Sequence, residues 1–254
     1  MKDEEVVVHE LQRLAPPEVL NALEGFLARR LGGGRIIDAG AGAGAVTERL
    51  VASVPLVWCV DISQQMLASL RGRMLPGAVP VRADLHRLPL ADHSSDGAVL
   101  TNVLHLLRDW QGAIRELVRC VRPGGEVVVN LGSPDGGWPL AASIREYVSS
   151  LADRPLSSGA QHGPAGDEEL QSALAVFGGL LVATFEERWD TRRTVRSELQ
   201  RLLKNPFAWP PGTDLDYLGG IVNRRDGDIV RRFGALDTEH VVSRSLRLTS
   251  FRLG

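Results

Sequence analysis

The stretch Arg35-Ile36-Ile37-Asp38-Ala39-Gly40-Ala41-Gly42-Ala43-Gly44 decides how this chain is read. Residues 35–39 form a short apolar run of the kind that makes a buried strand, and three glycines alternating with alanines follow at once. Glycines at that point let the backbone turn tightly and approach a ligand, and a helix expected over Ala45–Val51 would offer free N–H groups at its start. Asp61 closes the next apolar run, Leu56-Val57-Trp58-Cys59-Val60, and lies 21 residues after Gly40. An acidic side chain there can accept from both hydroxyls of a ribose. Gly40, Gly42 and Ala45 also satisfy the G-x-G-x-x-G/A dinucleotide pattern, and a tight loop with no ligand fits the glycines too, so the turn alone leaves the chemistry open.

Working outward, further strands are expected at Val79–Ala83, Gly97–Thr101 and Glu126–Leu131. Runs with little alternation suit strands covered on both faces. Between the last two, Trp110, Ala113, Ile114, Leu117, Val118 and Val121 fall on one helical stripe, with Arg115, Glu116 and Arg119 opposite, and Pro123-Gly124-Gly125 stops the helix. Strand and helix alternating in this way predict a doubly wound α/β sheet. Ahead of it, Val6–Leu14 and Glu18–Leu31 read as helices, the second opened by Pro16-Pro17 and closed by Gly32-Gly33-Gly34. Residues 1–34 are therefore expected to be a helical cap and 35–131 a cofactor-binding core. Residues 132–254 are expected to form a substrate-side half. It holds helices at Leu140–Leu151, Asp167–Phe177 and Val195–Leu203, a helical substrate lid made of insertions at 132–166 and 190–240, and strands at 180–189 and 241–253.

Composition narrows the class. The chain has 254 residues, 29 basic and 31 acidic side chains and 44% hydrophobic residues, so it can bury a core and does not have the charge of a nucleic-acid or membrane coat. Cys59 and Cys120 are spaced neither as metal ligands nor as a redox pair, and the N-terminal apolar run is too short for a signal peptide. No stretch reaches the ~20 apolar residues of a membrane span. A cytoplasmic protein, monomeric or homodimeric, is expected.

Three further features bear on the glycine turn. Asp38 lies two residues before Gly40, within reach of an ammonium group; Asp84 ends the third strand, where it can accept from an adenine amino group; and Arg122-Pro123-Gly124-Gly125 leads into the fifth. Together, Asp-Ala-Gly-Ala-Gly-Ala-Gly at 38–44, Val-Asp-Ile-Ser at 60–63, Ala-Asp-Leu at 83–85 and Val-Arg-Pro-Gly-Gly at 121–125 resemble the class I S-adenosylmethionine-dependent methyltransferases, in particular the group acting on small molecules. The resemblance covers about Arg35 to Leu131. It implies a Rossmann-like, mainly parallel seven-stranded sheet with an antiparallel ending, and S-adenosylmethionine as cofactor, leaving as S-adenosylhomocysteine. Matched by position, Asp38, Ala39 and Gly40 would hold the methionine moiety and Gly42 would line the same wall. Asp61 would bind the ribose, Ile62 and Met66 would pack on the adenine, and Ala83, Asp84 and Leu85 would recognise its edge. Thr101 and Asn102 would lie beneath the sulfonium. Ala41, often cysteine in relatives, departs from the commonest pattern at a position that contributes mainly backbone.

For the chemistry, His105 follows the fourth strand on the rim where open α/β sheets bind ligands, and an imidazole can take a proton from a hydroxyl. A pocket-wall role is the alternative. His9 is expected on the N-terminal helix, His86 and His93 facing solvent, and His162 and His240 without partners; no histidine and carboxylate set has metal-ligand spacing, so no metal is expected. Six of the 13 aromatic residues, Trp138, Tyr147, Phe207, Trp209, Tyr217 and Phe233, fall in the two insertions. They would either enclose a flat acceptor, with Trp138, Trp209 and Tyr217 contacting it, or build a small core of their own. Residues 191–232 hold nine basic against five acidic side chains, an excess an anionic substrate or RNA could use and a solvated helix face could equally explain. The expected function is methyl transfer to a small-molecule acceptor, at a hydroxyl oxygen, of a kind suited to specialised metabolism. The alternatives are an RNA methyltransferase, a member of the fold that binds the cofactor without methylating, and a dinucleotide oxidoreductase.

Overall fold

A computed structural model describes residues 15–132, 138–152, 162–204, 209 and 212–254. The expected helix at Val6–Leu14, with His9, lies outside the described residues, as do Pro206, Phe207, Pro210 and Pro211. Seven strands form one sheet: β1 (Arg35–Ala39), β2 (Leu56–Asp61), β3 (Ala78–Arg82), β4 (Ser95–Thr101), β5 (Val121–Asn130), β6 (Leu180–Arg193) and β7 (His240–Arg252). Their order is β3-β2-β1-β4-β5-β7-β6. The first five are parallel, and β7 runs antiparallel to β5. Links from Glu186 to Arg247, Asp190 to Ser243 and Thr191 to Val242 proceed in opposite directions along β6 and β7, which makes that pair antiparallel as well. The expected mainly parallel seven-stranded sheet is therefore present.

The central strands carry unbroken apolar runs because both faces are covered. Ile36, Ile37, Ala98, Val99, Val127 and Val128 are sealed from solvent. Helix α1 (Pro17–Leu31) buries Val19, Leu23, Phe26, Leu27 and Leu31. After the glycine turn comes a four-residue helix, α2 (Thr47–Leu50), then α3 (Gln64–Gly72) and α4 (Trp110–Cys120). Asp109 caps α4 by accepting from the Gly112 amide at 2.9 Å, and its stripe of Trp110, Ala113, Ile114, Leu117 and Cys120 is buried. Burying each large apolar side chain of that stripe stabilises the fold by about 1.5–3 kcal/mol.

The chain divides into two compact units, one of Met1–Gly132, His162–Glu187 and Leu246–Gly254, the other of Ser133–Gln161 and Arg188–Ser245. The first holds the sheet core and α6 (Asp167–Ala175). The second contains α5 (Pro139–Ser150), α7 (Val195–Lys204), α8 (Leu215–Arg224) and α9 (Asp226–Phe233). Its core is Trp138, Ile144, Leu199, Leu202, Trp209, Leu218 and their neighbours.

Some local expectations change. The helix expected over Ala45–Val51 is confined to Thr47–Leu50, because Gly40, Gly42 and Gly44 all take positive φ and keep the chain in turns. Strand β5 begins at Val121, ahead of Pro123-Gly124-Gly125, since Gly124 N–H donates to the Leu253 carbonyl and Gly125 accepts from Leu253. The Pro- and Arg-rich part of 190–240 contains α8 and α9, two helices the composition hid. Among the described residues no helix is long and apolar enough to cross a membrane.

Candidate functional site

The carboxyl ends of β3, β2, β1 and β4 lie side by side in register: Ala39 pairs with Val60 and Leu100, and Asp61 with Arg82. Asp38, Ala39, Gly40, Gly42, Asp61, Ile62, Met66, Ala83, Asp84, Leu85, Thr101, Asn102 and His105 are thereby gathered in one unit, on one rim of the sheet. Trp138, Trp209 and Tyr217 belong to the other unit.

The glycine turn is wired to the end of β2. The Gly40 and Ala41 amides donate to the Val60 carbonyl at 2.8 and 2.9 Å. The Gly42 amide donates to Asp61 Oδ2 at 2.9 Å, and the Ser63 amide to Oδ1 at 2.8 Å. Each carboxylate oxygen of Asp61 thus keeps one lone pair for a sugar hydroxyl. Gly40 sits at φ +77°, and a Cβ there would come within 2.7 Å of Val103 Cγ2, so both conformation and packing require glycine.

Asp38 is 1% exposed and accepts from Thr47 Oγ1 at 2.6 Å. Burial pushes its carboxyl up to about 6, the Thr47 hydrogen bond opposes the rise, and the charge of Asp61 adds to it. A buried carboxylate held this far from its ordinary range is suited to an ammonium partner. Ile62, at the end of β2, is 66% exposed, an apolar side chain that a flat ring would cover. Met66 is half-buried, one turn into α3, whose start Ser63 caps. Leu85 is part of the sheet core, and Ala83 N–H donates to the Asp61 carbonyl at 3.2 Å.

Asp84 is exposed, and its Oδ1 accepts from the His86 amide at 2.9 Å and faces His86 Nδ1 at 2.7 Å. Those hydrogen bonds hold its carboxyl below the usual carboxylate range. His86 is exposed, as expected, and both its ring nitrogens also face acceptors, the second the Asp109 carbonyl at 2.8 Å. The Asp-x-His spacing was the available signal. His93 Nδ1 likewise faces the Val121 carbonyl at 3.1 Å. Thr47 was missed outright; it is recognisable only once the fold sets the α2 start under the end of β1.

At the end of β4, Thr101 is buried and Asn102 takes φ +55°, a left-handed geometry that asparagine tolerates better than most side chains. His105 follows in a 3-10 turn, Leu104–Leu106, and is half-buried. Backbone of the same unit packs on this turn: a Cβ at Gly163 would stand 2.9 Å from His105 Cα.

In the second unit, Trp209 is 7% exposed and its indole N–H donates to the Leu202 carbonyl at 2.8 Å. Trp138 is equally buried and stacks at a tilt on His240. Tyr217 is 38% exposed. The arginines of this unit are extensively paired: Arg193 and Arg201 with Glu198, Arg196 with Asp237, Arg192 with Glu239, and Arg225 and Arg231 with Asp228.

Residues 37–129 match the family model described as a methyltransferase domain. The demethylmenaquinone methyltransferase of Mycobacterium sp. strain KMS is 35% identical over 124 residues, 48% of this chain and 52% of that protein. The chain thus spans about half the length of such curated relatives. The malonyl-[acyl-carrier protein] O-methyltransferase of Enterobacter lignolyticus strain SCF1 is 28% identical over 218 residues, 80% of this chain and 83% of that one. The crystal structure of an S-adenosylmethionine-dependent methyltransferase from Mesorhizobium loti superposes with a TM-score of 0.52 at 19% identity, covering 92% of this chain and 99% of that one, a likeness of fold. With the strand order, the glycine turn and the carboxylates at the strand ends, these matches make residues 37–129 similar to the methyltransferase domains of S-adenosylmethionine-dependent enzymes.

Proposed function

We propose that the protein transfers the methyl group of S-adenosylmethionine to a hydroxyl oxygen of a small organic acceptor. The observation that carries this is the row of three carboxylates, Asp38, Asp61 and Asp84, at the ends of β1, β2 and β3. They suit, in that order, an ammonium, a ribose diol and an adenine amino group, and the exposed Ile62 beside them suits the ring. Ala39, Gly40 and Gly42 supply the backbone wall, Met66, Ala83 and Leu85 flank the adenine, and Thr101 and Asn102 stand under the reacting centre. The bound cofactor supplies an electrophilic methyl group on a sulfonium. What the chain must add is alignment of the acceptor with that methyl and, for a hydroxyl, a base. His105, at the next strand end along the same rim, is the base in this reading. Tyr217 is the exposed member of the three aromatic residues of the second unit, and Trp138 and Trp209 belong to that unit's own core.

The O-methyltransferase relative is named for transfer to oxygen, which accords with a hydroxyl acceptor. Ion pairing of the arginines in the second unit leaves less uncompensated charge for RNA than their number suggests. The test is to incubate the protein with methyl-labelled S-adenosylmethionine and a desalted extract, then count small-molecule, RNA and protein fractions separately. Label in the small-molecule fraction supports the reading and delivers the acceptor for mass analysis. Label in RNA replaces it with the RNA reading, and measurable cofactor binding with no label in any fraction leaves either an acceptor absent from the extract or a non-methylating protein.

A further inference from the structure

The two ring nitrogens of His86 each face an oxygen that can only accept: Asp84 Oδ1 at 2.7 Å and the Asp109 carbonyl at 2.8 Å. A neutral imidazole has one N–H and one lone pair, so it satisfies one of these contacts and sets lone pair against lone pair at the other. The imidazolium, with two N–H groups, satisfies both. The backbone amide of His86 donates to the same Oδ1, which fixes the Asp84 carboxylate from two directions, while Oδ2 accepts no hydrogen bond among the described residues. The Asp109 carbonyl belongs to the residue that caps α4 through its own side chain. His86 in its charged form is therefore a strap between the loop after β3 and the first turn of α4.

We propose that His86 is a positioning residue: as the imidazolium it pins the adenine-facing carboxylate of Asp84 to the start of α4, so that cofactor affinity follows the protonation of His86. This rests on the assignment of Asp84 made under Proposed function. The groups facing the ring are Asp84 from the loop after β3 and Asp109 from the start of α4. Arg87 and Arg108 are its charged neighbours along those two segments, and both are exposed. Glu116 on α4 accepts from the Leu88 amide and is paired with Arg119, so its charge is already matched. The Asp84 hydrogen bond, opposed by desolvation and assisted by the Asp109 carbonyl, moves the imidazole upward from its ordinary value. The charged form therefore extends toward neutral pH and is lost as pH rises beyond it. Once the ring is neutral, Nδ1–H stays on the carboxylate and the link to α4 opens.

The test has two parts. Binding of S-adenosylhomocysteine is measured by calorimetry between about pH 6 and pH 9 for the wild type, His86→Ala and His86→Gln. The titration of Asp38 is common to all three and cancels in the ratio of their affinities. The wild type is expected to bind about tenfold more tightly than His86→Ala at the acid end, with the advantage shrinking toward the alkaline end. His86→Gln, with one amide donor group and no titration, is expected to lie between them at a constant ratio to His86→Ala. Long-range 15N NMR of the ligand-free protein is expected to find both His86 nitrogens protonated near pH 6.5, the ordinary imidazole midpoint, and one protonated by about pH 9. A wild-type to His86→Ala ratio that does not change with pH overturns the proposal, as does a His86 ring with one protonated nitrogen throughout. Failure of the underlying cofactor assignment looks different: the wild type then binds no S-adenosylhomocysteine at any pH while NMR still reports the imidazolium.

Discussion

Thr47 Oγ1 donates to Asp38 Oδ2 at 2.6 Å, with Thr47 fully buried and Asp38 1% exposed. That single bond ties the first turn of α2 back under the end of β1, onto a carboxylate that the sheet buries almost completely. Burial dominates and raises the Asp38 carboxyl from its ordinary value to about 6. A folded value above the unfolded one means the free protein binds the extra proton between the two. Its stability is full below the unfolded value and falls as pH rises through about 6, a loss of ~3 kcal/mol at neutral pH. Asp38→Asn keeps the shape and removes the charge. The variant is expected to melt at higher temperature than the wild type at pH 8 and to bind S-adenosylhomocysteine about a hundredfold more weakly. Thermal scans beside calorimetric titration check both halves, and unchanged affinity would remove Asp38 from the ammonium site. In the wild type, ammonium binding draws Asp38 into its ionised form, so affinity should climb with pH through about 6 and protons should be released to buffer.

Gly40→Ala is expected to destabilise the fold by about 2–4 kcal/mol. The new methyl meets Val103 Cγ2 at 2.7 Å, and φ +77° is strained for any side chain. The two costs separate in part in a double-mutant cycle with Val103→Ala, which removes the Cγ2 contact, keeps Val103 Cβ at 3.0 Å and leaves the backbone strain of roughly 1–2 kcal/mol. Denaturant titration of the four proteins checks this. Full rescue by Val103→Ala would show that the backbone geometry costs nothing.

Glu126 sits away from the proposed site, near the start of the apolar part of β5. Its carboxylate accepts from Arg30 at 2.5 and 2.7 Å, from Ser250 at 2.8 Å and from Arg252 at 2.9 Å. Burial alone would raise it, but the hydrogen bonds from Arg252, Arg30 and Ser250 outweigh burial and leave it below its ordinary value. A depressed carboxyl contributes stability that is present above the unfolded value and lost as pH falls through the folded one, the reverse of Asp38. Glu126→Gln is expected to cost about 2 kcal/mol at neutral pH, with the difference from wild type closing below about pH 4, and to leave S-adenosylhomocysteine affinity unchanged. Melting curves across pH, with one titration at neutral pH, read all three.

How much of this was legible in the sequence depends on which force sets each element. Strands β1, β2 and β5 and helix α4 were readable because burial dictates their pattern, down to the Ile114 and Leu117 stripe. The glycine turn and its acidic partners were readable because positive φ and a strand end restrict the residues allowed there. Helices α8 and α9 were not, since Gly219-Gly220 interrupts one and Asp226, Asp228, Arg231 and Arg232 dominate the other; packing of Leu218, Ile221 and Ile229 holds them. Of the two readings open for the insertion aromatics, Trp209 takes the second, its N–H donating to the Leu202 carbonyl inside the unit's core. Thr47 and His86 act through partners brought close by the sheet order, which no local pattern encodes.

His105 is where the proposed chemistry is most exposed to test. It stands in the 3-10 turn after β4, and backbone at Gly163 packs against the backbone of that turn. A base matters only while the acceptor still holds its proton. With the acceptor identified by labelling, His105→Ala is expected to lower kcat at least about a hundredfold for a hydroxyl that is protonated at neutral pH. S-Adenosylhomocysteine affinity is expected to stay unchanged, because the ring plays no part in holding the cofactor. An electron-poor analogue of the acceptor, already ionised at the assay pH, should recover most of the lost rate in the variant. If the variant instead turns over the protonated acceptor at near-normal rate, His105 is a wall residue. If it loses rate equally on both analogues, its contribution is to orient the acceptor and not to take its proton.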